Sequence, residues 1–302
     1  MKIMVFFKSV NHDSFNAPLN YMSKSISQDG FEVIDVFDDE YKPCDLAVFF
    51  GSWKNREVSH HIIKRKIIKF SPNFIVIETP ILGRGAVANI MQDNWYRIGL
   101  NGFLNHTGKF NNYNCKPNRW NKLKKHFQIN LKPWRDKNNK GPIIIVLQLP
   151  GDASMCDIDV SRWAYFCVTE IRKITNRLII IREPQIIRNF NLVQCQSFKD
   201  VIFQRGTFEN KIKTLDEAWC TVTFSSGMGV ESIINGCPTI AMHPASFAYE
   251  ISSNNLSEIE NPKMVNRDKW LYNLAYTTWS LDEIKEGKPW LHLKPLLISD
   301  KK

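Results

Sequence analysis

"TVTFSSGMGVESIINGCPTIAM", residues 221–242, sets out a strand, a turn, a helix and a second strand in one stretch. Thr221–Phe224 is a run of strand formers. Ser225 to Gly229 reads as a turn of small residues. Val230 to Asn235 reads as a helix, stopped at Gly236, with Pro238 ahead of the next apolar strand. A strand that feeds a helix through such a turn is the repeating unit of a parallel α/β sheet. The first amides of that helix lack internal partners, and its dipole favours negative charge. Gly227 and Gly229 permit close approach, and Ser225 and Ser226 add hydroxyl donors, so the turn suits a phosphate or diphosphate. Glu231, just inside the helix, would accept hydrogen bonds from a ribose diol. The other reading of the same residues is packing alone, because glycine also allows a helix to sit tightly on a strand.

The same pattern extends in both directions. "KIMVFF" (2–7), "FEVIDVF" (31–37), "CDLAVFFG" (44–51) and "NFIVIET" (73–79) read as strands. Between them, a helix with Leu19, Met22 and Ile26 on one face ends at Gly30, and a second helix covers 58–70. The order β-α-β-β-α-β implies a mostly parallel sheet with both faces covered. Residues 80–140, rich in Gly and Asn, read as the end of this first unit plus a long excursion. "GPIIIVLQLPGD" (141–152) restarts the pattern. A helix over 159–175, a strand over 176–184, a short helix in "SFKDVIFQRG" and the opening stretch follow. The last segment, from Asn266, reads as helix with Trp270, Leu271, Leu274 and Trp279 buried. The expected fold is α/β, with two Rossmann-like lobes facing across a cleft. Residues 1–140 form an acceptor-binding lobe and 141–302 a nucleotide-sugar-binding lobe, its last helices packing back on the first. Ligands of open α/β sheets bind at the C-terminal ends of strands, which puts the site in that cleft.

The chain of 302 residues is 43% hydrophobic and 23% charged, an ordinary globular balance that excludes disordered and collagen-like classes. No apolar run is long enough to span a membrane, and "MKIMVFFKSV" lacks a cleavage pattern, so a cytoplasmic location is expected. Seven scattered cysteines without a CxxC pair point to neither a zinc site nor a disulfide framework. The net charge of +10 is concentrated: ten Lys or Arg residues between Lys109 and Lys140 face Asp136 alone. Phe110, Tyr113, Trp120, Phe127 and Trp134 are interleaved with them. One reading is a solvated run over core aromatics. The other is a polyanion-binding face of Lys109, Arg119, Trp120, Lys122, Lys124, Lys125, Lys132 and Arg135, in which cations meet a nucleic-acid backbone and rings stack on bases.

The opening stretch resembles the donor-binding segment of GT-B glycosyltransferases: strand, Ser/Gly loop, helix with an early Glu, then Gly-x-Pro and strand. The resemblance implies that Ser225, Ser226, Gly227, Met228 and Gly229 contact the diphosphate of a UDP-sugar and Glu231 its ribose. "RLIIIREP" (177–184) is similar to the family's strand end, with Glu183 where His is usual, and Arg182 would neutralise diphosphate. "RDKWLYNLAYTTWSLDEIKEGKPW" resembles the closing segment of phage and capsule-type members. Sugar transfer with a leaving diphosphate can run without metal, and "DID" (157–159) reads as helix capping. An inverting reaction needs a general base from the first lobe. Glu78 at a strand end leads, Asp93 follows, and His12 and Asp13 come third, with Arg84 as a phosphate ligand. Together with the basic face, the resemblance implies transfer of glucose or a pentose such as arabinose to a hydroxymethylated pyrimidine in phage DNA, the base flipped out of the duplex, in the host cytoplasm. The alternatives are a capsule- or lipopolysaccharide-type transferase and a non-catalytic nucleic-acid-binding protein.

Overall fold

The computed structural model describes residues 1–7, 13–54, 57–83, 94–186 and 190–299. The first sheet is built from β1 (Ile3–Phe6), β2 (Val33–Val36), β3 (Leu46–Phe50), β4 (Asn73–Glu78) and β5 (Trp95–Leu100). Helices α1 (Asp13–Gln28) and α2 (Ser59–Phe70) connect them, and α3 (Pro117–His126) follows. The second sheet uses β6 (Ile143–Val146), β7 (Ile179–Glu183), β8 (Val201–Arg205), β9 (Cys220–Thr223) and β10 (Thr239–Ala241). Its helices are α4 (Val160–Arg172), α5 (Val193–Gln196), α6 (Phe208–Glu217) and α7 (Met228–Ile234). The chain then runs through α8 (Asp268–Ala275), β11 (Thr278–Ser280), α9 (Leu281–Lys285) and α10 (Lys288–Ser299).

Strand order is β11-β5-β4-β3-β1-β2 in one sheet and β10-β9-β6-β7-β8 in the other. All pairings in the second sheet are parallel, as are those among β1 to β4. The strands of the first sheet obey a period of two. Ile3, Val5, Leu46, Val48, Ile75 and Ile77 share a core with Leu19, Met22 and Ile26 of α1. Their neighbours Met4, Phe6, Ala47, Phe49, Phe74 and Val76 pack on the opposite face with Ile63 and Ile67 of α2. Alternate residues of a strand point to opposite sides, so a sheet covered on both faces must be apolar throughout.

Two sequence expectations need correction. "SFKDVIFQRG" holds the edge strand β8 rather than a helix. Its Val201, Ile202 and Phe203 are strand formers, and parallel pairing to β7 decides the outcome. Within residues 80–140, the end of the first unit is β5. β5 lies inside the first sheet, antiparallel to β4, and its other side pairs antiparallel with β11 from near the C-terminus. Helices α9 and α10 then pack with α1. Trp279, expected in a helix, is buried in β11.

The 110–134 segment sits in a seam between the sheets. Phe110, Trp120, Leu123 and Phe127 share a cluster with Val230, Ile233 and Ile234 of α7 and with Trp270 and Leu271 of α8. The approach is tightest at Gly236, whose φ is +75° and whose added Cβ would lie 1.9 Å from the Pro133 carbonyl oxygen. Gly236→Ala is therefore expected to destabilise the fold by about 2–3 kcal/mol, measured by urea denaturation.

Candidate functional site

Both sheets turn the C-terminal ends of their parallel strands toward one cavity of about 350 Å3. The first sheet supplies Ser52 after β3, Glu78 and Thr79 at the end of β4, and Arg97 from β5. The second supplies Gln148 after β6 and Ser225 to Gly227 after β9. In the second sheet β6 lies between β9 and β7, so the loops after β6 and β9 flank the point where strand order reverses, the usual ligand position in open α/β sheets. A second cavity, about 320 Å3, adjoins it and shares Leu147, Pro184 and Ser226. Arg182, Thr207, Lys211 and Met228 also line it.

Glu78 is held by two backbone amides: Ser52 N donates to Oε2 at 2.7 Å and Thr79 N to Oε1 at 2.8 Å. The strand end thus fixes the carboxylate at the cavity wall. Arg97 stands in register with Glu78 across the β4–β5 pair. It is 7% exposed, and its guanidinium lies 5.4 Å from the Phe103 ring and 5.2 Å from the Phe247 ring. Sequence reasoning passed over it, although an Arg inside the apolar run "WYRIGL" is a signal, since a strand interior seldom holds a cation without a reason.

The Ser/Gly turn is where expected, but much of its hydrogen bonding is internal. Ser225 N donates to Gln148 Oε1 at 3.0 Å, and Ser225 Oγ donates to the Ser154 carbonyl. Ser226 N donates to Thr223 Oγ1 at 2.9 Å, and Met228 N to Ser226 Oγ at 3.2 Å. Gly229 N and Val230 N donate to the carbonyls of Ser226 and Gly227. Among the described residues, Gly227 N–H is the turn amide left without an acceptor. Gly229 serves packing: a Cβ there would meet Thr223 Cγ2 at 3.0 Å. The open anion cradle read from the sequence narrows to Gly227 N–H and the Ser226 side chain.

Arg182 is buried, donating to Gln204 Oε1, Asn210 Oδ1 and the Thr207 carbonyl. Burial lowers its pKa and the Glu231 carboxylate opposes that shift; the guanidinium stays charged at neutral pH. Glu231 is itself buried, with Lys211 Nζ 2.9 Å from Oε2. Lys211 thus stands between Glu231 and the second cavity, a residue the sequence reading missed. Asp159 caps α4, accepting from Arg162 N at 2.8 Å, as the "DID" reading anticipated. Among the described residues no group of three His, Cys, Asp or Glu side chains is placed to hold a metal ion, and no helix is long and apolar enough to cross a membrane. Asp93, His12 and Arg84 lie outside the described residues, and Asp13 opens α1.

Part of the expected nucleic-acid face is buried or paired within the protein. Trp120 is 4% exposed, so its ring cannot stack on a base without unpacking the seam. Arg119 makes a two-point bond to Glu283 at 3.0 and 2.9 Å and lies 3.8 Å over the Trp279 ring. Lys122 joins the same carboxylate at 2.9 Å. Lys132 pairs with Asp216, and Arg135 donates to the carbonyls of Ala218 and Leu215. Lys109, Lys122, Lys124 and Lys125 are exposed. Arg119, Lys122, Lys132 and Arg135 secure neighbouring segments, and Phe110, Trp120 and Phe127 between them are core, whereas Tyr113 is exposed.

No protein-family model matches the sequence, and no curated protein does. Solved structures do match. A Thermosulfurimonas dismutans KpsC beta Kdo 2,4 transferase superposes with a TM-score of 0.52 at 12% identity, over 92% of this chain and 90% of that one. The chain has the GT-B fold. A KpsC beta Kdo 2,7 transferase of the same organism gives 0.50 at 11% identity, over 95% and 100% of the two chains. The UDP-GlcNAc 2-epimerase of Methanocaldococcus jannaschii, in complex with UDP-GlcNAc and UDP, is similar at 12% identity over 96% and 99%, but its TM-score of 0.32 carries no argument about the site.

Proposed function

We propose that this GT-B chain is a glycosyltransferase that moves a sugar from a nucleotide-sugar donor on the second lobe to an acceptor hydroxyl presented by the first. The observation that carries this reading is the cavity between the sheets, where Glu78 and Arg97 face Ser226 and Gly227. In this arrangement the nucleotide occupies the adjoining cavity beside Arg182, Lys211 and Met228, with Glu231 behind Lys211. The diphosphate lies at the junction, where Ser226 lines both cavities. As the sugar–phosphate bond breaks, charge grows on the leaving phosphate, and the Gly227 N–H and Ser226 hydroxyl are donors already in place. Glu78 takes the proton of the attacking hydroxyl. UDP is the expected nucleotide.

A glycan acceptor has more support than DNA. Two neighbours with TM-scores of 0.50 and above are Kdo transferases. Arg119, Trp120, Lys132 and Arg135 are engaged in packing and ion pairs, which weakens the reading of a hydroxymethylated pyrimidine in phage DNA as acceptor. The deciding assay offers UDP-glucose, UDP-arabinose and other nucleotide sugars with either hydroxymethylated DNA or oligosaccharides, and follows release of the nucleotide and labelling of the acceptor. Transfer to an oligosaccharide is the expected result. Absence of nucleotide binding by calorimetry across the panel would overturn the reading.

A further inference from the structure

We propose that a third cavity, beneath Tyr113, is a subsite for a neutral sugar. It measures about 400 Å3 and has Phe247 in common with the cavity between the sheets, so the two meet at one ring. Tyr113 is 85% exposed. Two left-handed residues flank it, Asn111 at φ 49° and Asn114 at φ 52°. Side-chain bonds hold the loop in place: Asn111 Nδ2 donates to the His292 carbonyl at 2.7 Å, and Cys115 N donates to Asn273 Oδ1 at 3.0 Å. An aromatic ring is thereby presented to solvent from a fixed backbone over a cavity floored by Trp270.

The polar groups around the ring have defined roles. Asn273 Oδ1 accepts from Cys115, which orients the amide and leaves its Nδ2 as a donor. Asn112 Nδ2 donates to the Asn273 carbonyl and Asn105 Nδ2 to that of Pro244, which leaves both Oδ1 atoms as acceptors. Among the described residues, the Glu250 carboxylate has no hydrogen bond or ion pair, and it too lines the cavity. Acceptors, an amide donor and a flat apolar ring match a pyranose, which has hydroxyls at its rim and C–H bonds on its face. The Glu250 charge disfavours a phosphate backbone in the same place.

The assignment takes its biological sense from the transferase reading, as a hold on a sugar unit away from the reacting one. Its test needs no turnover, so failure of the transfer assay leaves it intact. Saturation-transfer NMR on the full chain, with glucose, galactose, N-acetylglucosamine and cellobiose as probes, is expected to show saturable millimolar binding of at least one sugar. Tyr113→Ala and Glu250→Gln, both at exposed positions, are each expected to weaken it about tenfold with the melting temperature unchanged. No saturable binding to any of the four, or equal affinity in both variants, overturns the assignment. So does a thymidine oligonucleotide whose binding, rather than that of any sugar, is lost in Tyr113→Ala.

Discussion

Glu78→Gln is expected to lower sugar transfer by about 10²–10⁴-fold, the usual worth of a positioned general base. Nucleotide affinity should hold, because Glu78 belongs to the first sheet and the nucleotide cavity to the second. The argument is geometric. Ser52 N and Thr79 N each bind one carboxylate oxygen, so the group cannot swing away, yet each oxygen keeps a further lone pair for a hydroxyl in the cavity. Glutamine keeps the shape and loses the capacity to take a proton. Its amide NH2 also faces one of the two backbone donors, which costs about 1–3 kcal/mol of stability. Activity must therefore be read beside a denaturation curve and a nucleotide titration. A fall in kcat with donor KM unchanged is the signature of a group that acts in the transition state. If turnover stays within about tenfold of the parent, the base is another group and Glu78 is a clamp on the β3 loop.

Much of the fold was legible because parallel strands covered on both faces are written as short unbroken apolar runs. "IMVF", "LAVFF", "NFIVIE" and "IIIV" have few other interpretations when helices of 3.6 periodicity separate them. β5 was lost because its partners are β4 and β11, the latter some 180 residues away, and no local pattern records a pairing at that distance. The candidate site was legible in position more than in detail. The turn after β9 was found from its small residues, and Glu78 from its place at a strand end. Which small residue meets a ligand and which meets the protein depends on neighbours from other strands. Gln148 ties down Ser225, and Thr223 sits under Gly229. Composition cannot carry that information. The same holds for the basic run, whose charge is plain in the sequence while Glu283, its main buried partner, lies far along the chain.

That partnership leads to the largest expected loss of stability. Arg119→Ala should destabilise the protein by about 3–5 kcal/mol, the cost of leaving one half of a buried ion pair behind. The Glu283 side chain is 4% exposed, and Arg119 supplies it with a bidentate bond while its guanidinium rests on Trp279. Burial alone would raise the Glu283 pKa. The hydrogen bonds and charge of Arg119, with help from Lys122, more than reverse this and hold it at about 2, below its ordinary 4.5. A carboxylate depressed on folding contributes stability that is complete above its unfolded pKa and disappears as pH falls through the folded one. The parent should therefore lose stability progressively from near pH 4.5 toward pH 2, and Arg119→Ala should show a weaker slope in that window. Arg119→Lys cannot form the fork and should fall between the two. Replacing both partners, as Arg119→Met with Glu283→Leu, removes the stranded charge and should recover most of the loss. The remainder is the capping bond from Ser280 N to Glu283 Oε2, about 1 kcal/mol. Denaturant titrations of the parent and the three variants across pH check each step. Equal stability of parent and Arg119→Ala would mean that the cation acts at the surface after all, and would reopen the case for a basic face that meets a polyanion.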